Sequence, residues 1–233
     1  MSEKYSIALS WIQNIQKAND GNIVNELKIA INKSESSGKI LSNSILSTYS
    51  LVYAESVAYN GGVLAPDGSI HFVPRNANRG QKINPDGTIS TYSLVYTASS
   101  AYCGGVLSPD GSIHFVPLGA NRGQKINSDG TISTYSLVYT TSLAYVGGVL
   151  SPDGSIHFIP SFAPVGQKIN SDGTISTYSL VHITSSAYIG GVLSSDGSIN
   201  FIPFNASVGQ KINNNSYLPF RKELLLSPYL NKL

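Results

Sequence analysis

The chain has 233 residues, of which 12% are charged, and its formal net charge is +2. A chain of this length buries a core without needing a disulfide or a metal to hold it, and so small a charge excludes nucleic-acid binding argued from electrostatics alone. One cysteine, Cys103, excludes an intramolecular disulfide framework and fits a reducing compartment. The 22 glycines and 14 tyrosines suit short strands and tight turns rather than long solvated helices.

No run of the sequence reaches the roughly 18 apolar residues of a membrane-spanning helix. The first ten residues lack the apolar core and cleavage site of a secretory signal. The expectation is a cytoplasmic protein without membrane association, with export by a signal-less route left open.

Residues 1–46 carry helical spacing. Tyr5, Ala8, Leu9, Ile12 and Ile15 recur at i, i+3 and i+4, as do Ile23, Leu27, Ala30 and Ile31. The turn residues of 19–22 separate the two runs. This predicts a short helical hairpin with Trp11, the only tryptophan, on or near its apolar stripe. It serves either as a cap or as a docking helix for a partner.

From residue 47 the chain repeats itself every 43 residues. Ser-Thr-Tyr-Ser-Leu-Val begins at Ser47, Ser90, Ser133 and Ser176, and Gly-Gly-Val-Leu at Gly61, Gly104, Gly147 and Gly190. Asp-Gly-Ser-Ile begins at Asp67, Asp110, Asp153 and Asp196, and Gly-Gln-Lys-Ile at Gly80, Gly123, Gly166 and Gly209. A fixed period means that every copy takes one conformation and packs on its neighbours in one way. Within the first copy, Asp67-Gly68 and Asp86-Gly87 each separate two β-rich runs, the strongest short hairpin signal. Each repeat therefore holds four short antiparallel strands, named a to d. Four-stranded units repeating every 40–45 residues predict the blades of a β-propeller.

The fold class is thus all-β: a propeller of four 43-residue blades, starting near residues 61, 104, 147 and 190, after an N-terminal helical hairpin. Residues 47–233 form the propeller domain, and 214–233 its closing segment. Copy four loses the pattern after strand c. The orphan d-like segment 47–53 completes it in the favoured reading, and 223–228 in the alternative. A homodimer follows if one chain does not close its own ring, because an uncovered strand edge invites pairing with another chain.

The motif of residues 61–74, followed by that of 81–89, resembles the NHL-type blade and its relatives, the SMP-30/gluconolactonase and streptogramin-lyase-like propellers. The resemblance covers about residues 47–213 and implies blade architecture; those families carry five to seven blades where four are recognisable here. Their gluconolactonase-like members bind a metal through channel carboxylates and amides. Such ligands have no match in this chain, whose innermost strands read Gly-Gly-Val-Leu. Asn60 comes nearest, and its equivalents are Cys103, Val146 and Ile189.

Three groups of residues carry candidate chemistry. His71, His114 and His157, with Asn200 in copy four, suggest a metal or a general base. They lie on strand b between apolar neighbours, where a structural role fits better. The hairpin aspartates cap their own turns, and Lys82, Lys125, Lys168 and Lys211 keep strand c solvated. The third group belongs to the loop edge, opposite the Asp-Gly turns. Arg75, Arg79 and Arg122 make two blades basic, whereas Phe162, Val165 and Phe204 make the other two apolar. Tyr59, Tyr102, Tyr145 and Tyr188 are expected to ring the channel mouth beside them. Aromatic anchors next to arginines are the stuff of protein-binding hot spots.

The sequence therefore points to a non-enzymatic module that binds a protein or peptide on its loop face, with no cofactor and no metal. Its alternatives are a propeller lyase or lactonase and a carbohydrate-binding lectin.

Overall fold

Each Asp-Gly pair turns the chain by satisfying its own backbone. The Asp67 carboxylate accepts the N–H of Ser69 at 2.9 Å, and the Gly68 N–H donates to the Ala65 carbonyl at 3.0 Å. Gly68 takes φ +85°, which a side chain would resist. The same turn recurs at Gly111, Gly154 and Gly197. A computed structural model describes residues 46–213. The chain divides into two units, Met1–Tyr49 and Ser50–Leu233, and nearly all the described residues belong to the second. The expected helical hairpin with Trp11 and the segment 214–233, including 223–228, lie outside the described residues.

Fifteen strands follow in chain order among the described residues. Blade one holds β1 (Tyr59–Leu64), β2 (Ile70–Pro74), β3 (Arg79–Ile83) and β4 (Ile89–Ser93). Blade two holds β5 (Tyr102–Leu107), β6 (Ile113–Pro117), β7 (Arg122–Ile126) and β8 (Ile132–Ser136). Blade three holds β9 (Tyr145–Leu150), β10 (Ile156–Pro160), β11 (Val165–Ile169) and β12 (Ile175–Ser179). Blade four holds β13 (Tyr188–Leu193), β14 (Ile199–Pro203) and β15 (Gln210–Ile212). Every sheet is an antiparallel meander of sequential neighbours, four-stranded in the first three blades and three-stranded in the last. The all-β propeller architecture is as expected.

The core lies between blades rather than within them. Val63 and Val73 of blade one join Ala101, Tyr102, Ile113 and Phe115 of blade two in one buried cluster. Val106 and Val116 join Ala144, Tyr145, Ile156 and Phe158 in the next. The second glycine of each Gly-Gly pair makes this approach feasible. A Cβ on Gly105 would lie 2.8 Å from Val63 and 3.2 Å from Val73; one on Gly148 would meet Val106 and Val116 at 2.7 and 3.0 Å.

A side-chain latch fastens each joint at its outer rim. The fully buried Gln124 carbonyl oxygen accepts the N–H groups of Val95 and Tyr96, the residues that follow blade one's last strand, at 3.0 and 2.7 Å. Gln167 holds Val138 and Tyr139 in the same way, and Gln210 holds Val181 and His182.

One expectation is corrected here. Residues 46–53 form no strand and do not complete blade four within the chain. Their end is instead latched to blade one, with the Val52 and Tyr53 N–H groups donating to Gln81 at 3.0 and 2.8 Å. The segment behaves as the tail of a blade preceding the first. The innermost strands pack in the order β1, β5, β9, β13, and no comparable contact returns from β13 to β1. The described blades form an open arc.

Candidate functional site

The two edges of the arc differ as the turns require, with Asp-Gly hairpins on one and longer loops on the other. On the loop edge, backbone hydrogen bonds run from blade to blade. The carbonyl of buried Ala101 accepts the N–H groups of Leu118, Gly119 and Ala120, and its own N–H donates to the Arg75 carbonyl of the previous blade at 2.8 Å. Ala144 repeats this between Leu118 and the Ser161 loop, and Ala187 between Ser161 and the Phe204 loop. The residue before each of these alanines, and before Ala58, whose carbonyl plays the same part in blade one, is pushed into the left-handed region: Val57, Ser100, Leu143 and Ser186 have φ of 51–60°. Loops tied down in this way form a pre-organised surface rather than a mobile one, and pre-organisation lowers the entropic cost of binding.

The structure then sorts the candidate side chains. Phe162 is exposed at the tip of its loop, with its N–H donating to the Leu143 carbonyl at 3.2 Å, and Pro164 beside it is exposed as well. Arg79 and Arg122 are exposed on the same edge, each guanidinium lying over a tyrosine ring, Tyr53 and Tyr96, at 5.5 Å. Such stacking holds the charge in place while leaving it open to solvent. Val165 occupies the arginine position in blade three and is half-buried. Arg75 is also half-buried.

Two expectations change. Tyr102, Tyr145 and Tyr188 are buried, at 0%, 0% and 1% exposure, and do not ring an open channel mouth. Each hydroxyl donates to a backbone carbonyl at the start of its own blade's third strand, Arg122 and Val165, or two residues before it, Val208. Burial pushes the phenols of Tyr102 and Tyr145 above the ordinary tyrosine range. Only Tyr59, at the free end of the arc, is half-buried; its phenol is pushed up to about 12, chiefly by desolvation. Phe204 is exposed because it stands where Leu118 and Ser161 are covered by a following blade. It belongs to the end of the arc more than to the loop surface. Reading the b strand's packing partner from the 43-residue period would have found this.

The histidines sit on the turn side of the blades. In blade one a neutral relay is fixed by its donors. The single Ser69 hydroxyl hydrogen goes to Asp67 Oδ1 at 2.7 Å, so His71 Nε2 donates to Ser69 Oγ at 3.1 Å. His71 Nδ1 then accepts from the Tyr92 hydroxyl at 3.2 Å. The pairs His114–Tyr135 and His157–Tyr178 repeat at 3.4 Å. Burial lowers all three imidazoles from 6.5 to about 4. Ser69 is completely buried, which keeps its oxygen from reaching a substrate as a nucleophile. His71, Lys82, Tyr92 and Asp110 border an open cleft of about 650 Å³ between blades one and two. Among the described residues no three His, Cys, Asp or Glu side chains converge as metal ligands would. Asn200, the fourth-blade equivalent, donates to Ser194 Oγ. Asn60 and Cys103 hold equivalent positions on the inner strands β1 and β5; Asn60 is exposed, and desolvation pushes the buried Cys103 thiol up to about 12.

No protein-family model matches the sequence, and no curated protein is significantly similar to it. Solved structures are similar. A streptogramin B lyase structure aligns with a TM-score of 0.58 at 26% identity, over 67% of this chain and 52% of that one. A catalytically inactive virginiamycin B lyase from Staphylococcus aureus, with quinupristin, aligns at 0.55 and 24% identity, over 68% and 56%. A protein named as a candidate gluconolactonase aligns at 0.50 and 16% identity, over 70% and 62%. The blades are similar to those of the streptogramin-lyase-like propellers. The chain spans about half the length of the lyases it matches.

Proposed function

We propose that this protein is a non-enzymatic interaction module that holds a protein or peptide partner on its loop edge. One observation carries the reading. The loop edge is braced from blade to blade by the Ala101, Ala144 and Ala187 backbone bonds, yet it is where otherwise near-identical repeats present different exposed side chains. Arg122 on blade two and Phe162 on blade three stand on loops joined through Ala144. An exposed guanidinium and an exposed aromatic ring on neighbouring, joined loops are a composition suited to anchoring a peptide. Panning a random-peptide display library against the protein tests this. Enriched peptides should bind the parent chain and lose at least ~10-fold affinity to Arg122→Ala/Phe162→Ala, about 1.4 kcal/mol, with the unfolding midpoint unchanged. Peptides that bind the variant equally well would remove the loop edge as the site.

The likeness to streptogramin B lyase favours a second reading, a propeller lyase. Against it stands the chemistry of the inner strands, where the buried Cys103 thiol is held protonated and no carboxylate or imidazole is present in Tyr59–Leu64 or its three equivalents. Incubation with quinupristin, followed by mass analysis, distinguishes the two. Turnover of the antibiotic would establish the lyase.

A further inference from the structure

The two ends of the open arc are the two halves of a joint that the arc makes three times within itself. At each internal joint a pair of branched side chains on one blade packs over a glycine of the next. Val63 and Val73 meet Gly105, Val106 and Val116 meet Gly148, and Val149 and Ile159 meet Gly191. At the far end, the corresponding Val192 and Ile202 are 56% and 42% exposed, with no glycine over them among the described residues. At the near end, the corresponding Gly62 meets, among the described residues, only Ile70 and His71 of its own blade.

The fourth strand that blade four lacks among the described residues repeats this complementarity in finer detail. In blades one to three a tyrosine of the outermost strand covers a glycine of the third. A Cβ on Gly80, Gly123 or Gly166 would lie 2.0–2.1 Å from the ring of Tyr92, Tyr135 or Tyr178. Blade four has the glycine, Gly209, with nothing among the described residues within 4 Å of that position. The tyrosine that the repeat assigns to it by sequence is Tyr49, in Leu-Ser-Thr-Tyr-Ser-Leu-Val-Tyr (46–53), which differs from residues 89–96 only at its first position. Tyr49 is 58% exposed, and residues 52 and 53 are already latched to Gln81 as every blade's tail is latched to the next blade. The chain after β15 is a poor substitute by sequence. It puts Arg221 at the tyrosine's place and Pro219, which has no N–H for the ladder, within the strand.

We propose that two copies of this chain close one ring head to tail, each lending residues 47–50 as the fourth strand of the other's last blade. Tyr49 of one copy covers Gly209 of its partner copy, in the register of Tyr92 on Gly80, and Ser47 lies opposite Lys211 as Ser90 lies opposite Lys82. Head-to-tail joints give a ring when the rotation closes. Closure after two copies is supported by length, since the arc aligns with 52% of the streptogramin B lyase chain and two arcs therefore make up about one such ring.

The test uses the full chain. Its solution mass in the micromolar range should be twice the chain mass. Both Gly209→Val, which fills the proposed tyrosine seat, and Tyr49→Ala should give monomers with an unchanged β circular-dichroism spectrum. In a Cys103→Val background, mixing Ser47→Cys chains with Lys211→Cys chains under oxidation should yield a covalent pair. A monomeric parent, a ladder of higher oligomers, or a disulfide formed within one chain carrying both cysteines would each overturn the proposal. A dimer that survives both Gly209→Val and Tyr49→Ala would overturn it as well.

Discussion

The ring of Tyr135 covers Gly123, so close that a Cβ on the glycine would sit 2.0 Å from the ring's Cε2. The two residues face each other across the β7–β8 ladder, and the tyrosine hydroxyl goes on to reach His114 Nδ1 at 3.4 Å. The glycine is therefore selected by its neighbour's ring and not by backbone conformation. Gly123→Ala must expel that ring from a well-packed site. The expected cost is about 2–4 kcal/mol, the range of a lost aromatic packing contact with overpacking, read as a lower urea midpoint. Tyr135→Phe keeps the ring and loses only the hydroxyl's bond, and should cost about 1 kcal/mol. Equal effects of the two substitutions would show that the hydroxyl, not the seat, is what matters.

The Gln124 latch makes a second prediction. Its carbonyl oxygen accepts two N–H groups from the tail of the preceding blade, and no backbone partner for those groups is present in a strand. Gln124→Leu should leave both donors to solvent and loosen the joint between blades one and two, at about 1–3 kcal/mol for the unmade bonds. Amide exchange is the direct measurement. Protection of Val95 and Tyr96 should fall while that of Val138 and Tyr139, held by Gln167, stays. Uniform loss of protection throughout would mean that the latch does not act locally.

Blades, turns and the two edges were legible in the sequence because a duplicated unit reports its own register. Asp-Gly, Gly-Gly and Gly-Gln-Lys-Ile each mark a position whose backbone or packing requirement is the same in every copy. Tyr102, Tyr145 and Tyr188 were misplaced because a residue's place along a strand says little about which neighbouring blade covers it. The failure of 47–53 to clasp blade four in one chain has a similar origin. The repeat specifies what that segment pairs with, while the angle between blades decides whether the partner is in the same chain. Phe162 and Arg122 were legible as departures from an otherwise constant frame.

Cys103 offers a third prediction. Its thiol donates to the Tyr145 carbonyl at 3.4 Å, is 7% exposed, and is pushed up to about 12 by desolvation. The thiolate, which is the nucleophile, is scarce in the folded protein at pH 8. Iodoacetamide should leave the native chain unmodified and label it fully in urea, as mass analysis would read. Cys103→Val should change stability by less than about 1.5 kcal/mol, because the swap roughly conserves volume and Val146 and Ile189 occupy the same place in later blades. Rapid native labelling would show that the joint between blades two and three opens freely.

The histidines set the acid limb of stability. Burial lowers His71, His114 and His157 from 6.5 to about 4 in the folded chain. Above pH 6.5 these groups are neutral whether the chain is folded or not, and contribute no pH dependence. Between 6.5 and 4 the unfolded chain binds protons that the native one refuses, so stability must fall as the pH falls through that window. The turn carboxylates act in a separate, lower range. Hydrogen bonds from Ser69, Thr88 and Thr131 hold Asp67, Asp86 and Asp129 below the usual 3.8, so their contribution is lost only at pH values below the histidine window. Urea midpoints measured from pH 7.5 to 4 should therefore decline steadily. Replacing the three histidines by asparagine, the residue that blade four already carries at Asn200, should flatten that decline while leaving the limb below pH 4 in place. An undiminished slope in the triple variant would assign the acid sensitivity to groups other than these imidazoles.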